Sequence, residues 1–139
     1  MVTINLKGRE IPLLYTTWEM KTIQEEIAPN DKIMPMLLGK DPEDINGPTN
    51  TFASADHLML LAKLVRIMGN AGLEEAGEEP DLTNKKVLRA LHPRELVSVV
   101  NTCIDAINEG FLSEIPDKKD DGPVDVILEE IEKKKEKDE

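Results

Sequence analysis

Residues 2–15 change character at every step, and the rest of the chain follows a different period. Val2, Ile4 and Leu6 alternate with Thr3, Asn5 and Lys7, and Ile11, Leu13 and Tyr15 repeat the alternation beyond Gly8. A period of two sends successive side chains to opposite faces of an extended backbone. The stretch therefore predicts a β-hairpin turning through Lys7–Gly8–Arg9–Glu10. Pro12 has no N–H to give a ladder, so the second strand is expected at an edge there. One hairpin is marginal alone in water. It has to pack on helices or pair with another chain.

From residue 17 the apolar positions recur at helical spacing. Thr16 or Thr17 can cap a helix running to about Ala28, with Met20, Ile23 and Ile27 on one face and Glu19 in the favourable first turn. Pro29 and Asn30 stop it. A short helical segment is expected over Ile33 to Leu38, interrupted by Pro35 and ended by Gly39. Residues 40–54, KDPEDINGPTNTFAS, read as a loop longer than most connections in compact domains. Ser54 caps the longest apolar helix, expected from about Ala55 to Asn70 and closed by Gly69, Gly72 and Gly77. Its apolar face is broad, with Leu58, Leu61, Ala62, Val65 and Met68 flanked by Met59, Leu60, Leu64 and Ile67. A helix patterned so widely belongs at the centre of a body. Thr83 caps a short helix carrying Val87, Leu88 and Leu91. Pro93 opens a last one with Leu96, Val99, Val100, Cys103, Ile104 and Ile107 on one face, and Gly110 is the expected residue past its end.

The fold class predicted is α+β and mostly helical: an N-terminal hairpin packed on a body of four or five helices. Residues 1–115 form that domain. Residues 116–139 form an acidic linker, PDKKDDGP, and a tail expected to be mobile. In the tail, Val124, Ile127, Leu128 and Ile131 repeat at i, i+3, i+4 and i+7. So short a segment rarely holds a helix alone. These four residues are the expected partner-binding strip, docking on the body, a neighbouring subunit or a partner helix.

The composition bounds the function. Formal net charge is −11, so phosphate contacts offer nothing and no nucleic-acid partner is expected. The acidity serves solubility, or presents a surface that attracts basic partners or mimics nucleic acid. Aromatic residues are 3% of the chain, which argues against base or sugar stacking and leaves an aliphatic core. The longest unbroken apolar run, Leu58 to Ala62, is far too short for a membrane span. Cys103 is the only cysteine, so neither an internal disulfide nor a thiolate cluster can form.

Residue patterns for chemistry fail one after another. His57 and His92 have no zinc-ligand spacing. Cys103 falls on the most apolar stripe, where a buried small hydrophobe is expected rather than a nucleophile. An EF-hand alignment on Gly47 places Pro42 and Ala53 at ligand positions, and one on Gly122 places Lys119 and Leu128 there. Gly39–Lys40 lacks the upstream glycine of a P-loop. No enzyme, cofactor or metal is expected.

The stretch VTINLKGREIPLLYTTWEMKTIQEE at residues 2–26 resembles the start of tail assembly chaperones of long-tailed, siphovirus-type bacteriophages. So does the later order: an apolar central helix, an acidic turn, Pro80–Asp81–Leu82–Thr83, a short helix and a last helix carrying AINEGF at 106–111. The resemblance spans about residues 2–112 and rests on hydrophobic and turn patterns, with the long 40–54 loop as a departure. It implies a protein that binds and solubilises the tape measure protein, with the tail tube protein a further partner. It implies self-association into a homo-oligomer, action in the host cytoplasm and absence from the mature virion. It also implies a frameshifted longer form, for which an A-rich run encoding Lys133–Lys134–Lys135 would be a slippage site. The family has no catalytic residues to carry over. The competing expectation is an acidic inhibitor of a host DNA-binding protein, acting as a nucleic-acid mimic.

Overall fold

The computed structural model describes residues 1–112. An antiparallel hairpin, β1 (Thr3–Leu6) and β2 (Arg9–Pro12), precedes five helices: α1 (Thr17–Glu26), α2 (Asn30–Leu37), α3 (Ala55–Glu75), α4 (Asn84–Ala90) and α5 (Leu96–Leu112). A 3-10 turn, Pro93–Glu95, leads into α5. The α+β class and the hairpin on a helical body are as expected. The boundary at residue 116, the linker and the Val124, Ile127, Leu128 and Ile131 strip lie outside the described residues.

The hairpin pairs Leu6 with Arg9, Ile4 with Ile11 and Thr3 with Pro12. Its turn is shorter than expected, only Lys7 and Gly8, with φ of 52° and 82°. Two consecutive positive φ values make a type I′ turn, whose twist matches that of the strands. Asn5 Oδ1 accepts from the Gly8 N–H at 2.8 Å and braces it. Ile4, Leu6, Ile11 and Leu13 face inward and are buried.

Helix starts follow their caps. The Thr16 side chain accepts from Trp18, and Glu19 reaches back to the Thr16 N–H at 2.9 Å. Each cap satisfies a donor that the first turn leaves free. Ser54 accepts from His57, and Thr83 from Lys86. α2 starts at Asn30 and runs through Pro35 rather than being interrupted there. Pro35 withholds a single donor, and the chain beyond it stays bonded, Leu38 N–H to the Met34 carbonyl at 3.2 Å and Lys40 N–H to the Pro35 carbonyl at 3.0 Å.

α3 is the centre, fully burying Leu61, Ala62, Leu64, Val65 and Met68 among hairpin, α1, α2, α4 and α5. It also overturns one expectation. Gly69 and Gly72 do not close it; the helix runs through both to Glu75. A Cβ on Gly72 would strike the carbonyl of Pro12, and one on Gly69 would lie 2.6 Å from Leu82 Cδ1. Gly72 lets the second strand lie against the helix backbone, and Gly69 leaves room for the Leu82 side chain. The Leu14 N–H donates to the Met68 carbonyl at 3.0 Å across that contact. Just past the end of α3, Gly77 N–H bonds Glu74 and Glu78 N–H bonds Leu73, a Schellman pair. Gly110 likewise lies inside α5 instead of past its end, because a Cβ there would strike the Tyr15 backbone.

Candidate functional site

The titratable groups best suited to chemistry are all engaged in structure. Cys103 is buried in α5 among the core aliphatics, as its stripe implied. Burial pushes its thiol up to about 12, the opposite of what an attacking thiolate needs. Tyr15 is raised to about 12 by burial, with the Glu19 charge adding to it. Its ring packs on Phe111 at 5.7 Å between centroids. His92 serves the start of the last helical segment through its backbone, whose N–H donates to Glu95 at 2.8 Å.

His57 lies in the first turn of α3, three residues past the Ser54 cap. It is buried, and both ring nitrogens meet backbone. Nδ1 accepts from the Ala53 N–H at 3.0 Å, and Nε2 lies 2.9 Å from the Leu37 carbonyl. A backbone N–H can only donate, so Nδ1 is the acceptor and Nε2 carries the proton given to Leu37. The imidazole thus joins the last turn of α2 to the residues just before α3, across the 40–54 loop. Phe52 packs on its ring at 4.8 Å. Lys40 Nζ donates to the Gly47 carbonyl at 2.8 Å, and the Thr51 N–H bonds Gly39. A reversal at Asp41–Asp44 completes the loop. The only sequence hint was a histidine three residues after the Ser54 cap.

No group of His, Cys, Asp and Glu among the described residues is arranged to hold a metal ion. No helix among them is long and apolar enough to cross a membrane.

The surface holds what the interior does not use. Trp18, the only tryptophan, is 68% exposed on α1, with Lys21 Nζ 4.7 Å above its ring. Val97 on α5 is 61% exposed. Leu38, Ile45, Phe52 and Met59, on and around the 40–54 loop, are exposed as well. These stand on a charged surface crossed by a few ion pairs: Arg66 to Glu26 at 2.6 Å and Arg9 to Asp81 at 3.0 Å. Sequence reading missed Trp18 as a surface residue, because one aromatic at a helix start carries no periodic signal. The expected partner strip, Val124, Ile127, Leu128 and Ile131, lies outside the described residues. Compared with family models, curated proteins and solved structures, the chain matches none.

Proposed function

We propose that this protein is a tail assembly chaperone of a long-tailed bacteriophage, binding the tape measure protein and keeping it soluble until the tail tube encloses it. The observation that supports the reading most is an acidic helical body that exposes Trp18, Val97, Phe52 and other large apolar side chains while its titratable core groups are tied to backbone or buried. A long apolar helical client needs its hydrophobic surface covered, and a carrier needs apolar contact points on a soluble body. The Val124, Ile127, Leu128 and Ile131 strip is the second contact this reading assigns, and the tail tube protein is a further partner. The work is done in the host cytoplasm, and the protein leaves before the virion is finished.

Co-expression with the long helical product of a neighbouring tail gene tests this. The reading expects that product to move from the insoluble to the soluble fraction in a complex with this chain. Changing Ile127 and Leu128 to Asp should reduce the complex and leave the body folded. A client that stays insoluble, together with displacement of a DNA-binding protein from DNA by this chain, would favour the nucleic-acid mimic instead.

A further inference from the structure

The chain carries a net charge of −11, yet residues 82–104 hold four cations, Lys85, Lys86, Arg89 and Arg94, against one acid, Glu95. These residues make up α4, the 3-10 turn and the first half of α5. Glu95 is already engaged, because its carboxylate accepts from the His92 N–H. Elsewhere Arg9, Lys21 and Arg66 each meet an acid of the body. Lys85, Arg89 and Arg94 are exposed, and among the described residues none of them forms an ion pair. Lys85 and Arg89 stand at i and i+4, on one face of α4, with half-buried Leu88 beside them. Arg94 and Val97 stand three apart at the entry to α5, where Val97 is 61% exposed. Unneutralised cations with apolar side chains among them fit a segment that is both acidic and amphipathic.

The chain itself supplies such a segment. Residues 120–132, DDGPVDVILEEIE, hold six acids and no cation. At helical spacing Val124, Ile127, Leu128 and Ile131 share one face, and Asp125, Glu129 and Glu132 follow one flank of it. We propose that this segment docks on the α4–α5 face of its own molecule, its carboxylates against Lys85, Arg89 and Arg94 and its aliphatic face over Leu88 and Val97. The reach is sufficient. From Leu112 back to Leu96, the 17 residues of α5 cover about 25 Å at the rise of a helix. Residues 113–123 can span about 36 Å when extended. Tethering selects this occupant over a free acidic segment, because a short tether holds its end at an effective concentration on the order of millimolar. The docking does not depend on the chaperone reading. Under that reading it has a consequence: the strip assigned to the client is covered in the free protein, and a client must displace it from the body.

A nitroxide on the full-length chain tests the contact without any client. Glu130→Cys places the label on the flank away from Asp125, Glu129 and Glu132, and buried Cys103 stays unlabelled in the folded protein. In an isotope-labelled chain the nitroxide should broaden the amide signals of Arg89, Arg94 and Val97. An undocked tail would instead broaden most strongly the residues beside its exit, Phe111 and Tyr15. Asp125→Lys with Glu129→Lys and Glu132→Lys should abolish the broadening at Arg89 and Val97. Lys85→Glu with Arg89→Glu and Arg94→Glu should do the same, and the two sets combined should restore it. The tail-side set lies outside the folded body, so it decides the question even if the body-side set fails to fold. High salt should weaken the broadening, since the ion pairs are exposed. The proposal is overturned if the broadening stays near Phe111 and Tyr15, or if the tail-side set leaves the contact at Val97 intact. It is equally overturned if the contact passes from a nitroxide-bearing chain to an isotope-labelled one in a mixture, because the docking would then join two molecules.

Discussion

The two ends of α3 are joined to the rest of the molecule by opposite means. Towards its C-terminal end the helix meets the hairpin backbone to backbone. Gly72 lies under the Pro12 carbonyl, and Leu14 donates to Met68. At its N-terminal end a side chain spans the gap: His57 holds Ala53 on one nitrogen and Leu37 on the other. The first joint works because a side chain is missing, the second because one is present. The first therefore tolerates no added atom. The second tolerates no lost one, but it leaves room around it, and there Leu38, Ile45 and Phe52 stand exposed.

The largest expected effect breaks the first joint. Alanine normally stabilises a helix interior relative to glycine, by roughly 0.5–1 kcal/mol. Gly72→Ala should have the opposite sign and destabilise by about 3 kcal/mol or more, because its methyl must displace backbone rather than a flexible side chain. Urea unfolding of parent and variant reads this directly. A stabilised variant would mean that the hairpin does not lie against α3 as described.

His57→Ala tests the second joint. It leaves the Ala53 N–H and Leu37 carbonyl without their ring partner and opens a cavity, destabilising by about 2–4 kcal/mol. Hydrogen exchange should be fastest to change at the Ala53 amide. The Leu13 and Leu14 amides, held at the other joint, should change only with global stability. Equal loss of protection at both ends would show that the joints are not separate.

The same contrast explains what was legible in the sequence. Elements set by local chemistry were: the alternation at 2–15, the Thr16, Ser54 and Thr83 caps, and the broad apolar face of α3. The glycines were misread. Gly69, Gly72 and Gly110 look like helix ends because glycine is the common residue past a helix, yet here each is in a helix interior facing a neighbouring segment. Close approach is a property of two distant segments, and a single sequence lists them separately. His57 was hidden for the same reason: Leu37 lies 20 residues away and contributes only a backbone carbonyl, which any residue supplies. The exposed side chains of the candidate surface carry no period at all.

Cys103 belongs to neither joint; it is buried in α5 within the shared core, so its substitution should act on the whole fold. Cys103→Ser should destabilise by about 1–3 kcal/mol by burying a hydroxyl. The thiol also sets an alkaline limit. Its ordinary value is 9.0 and its folded value about 12. The folded state thus holds this proton more tightly than the unfolded chain does. That stability is fully present below pH 9 and is lost as pH rises towards 12. Tyr15, moved from 10.0 to about 12, adds a loss that begins one unit higher. Cys103→Ala should remove the part of the alkaline decline that starts near pH 9 and keep the part that starts near 10. An unchanged pH profile would show that the thiol is not shielded as its burial implies.

The smallest effect belongs to the hairpin tip, where Arg9 of β2 reaches Asp81 in the segment before α4 at 3.0 Å. If the hairpin is held by backbone contact with α3, this pair is an accessory. Both side chains are well exposed, so salt screens the attraction and ordering two mobile side chains offsets it. Asp81→Asn should leave the urea midpoint within error of the parent at physiological salt and lower it slightly at low salt. At low salt that small difference should disappear as the solution is acidified. The hydrogen bond from Arg9 holds the Asp81 carboxyl below its ordinary 3.8. The stability linked to that shift is present above 3.8 and lost as pH falls through the lowered folded value. Parent and Asp81→Asn should therefore converge in strong acid and differ only above it. A large drop at neutral pH and physiological salt would mean that the tip, rather than the Gly72 contact, holds the hairpin down, and the division between the two joints would fail at its stronger end.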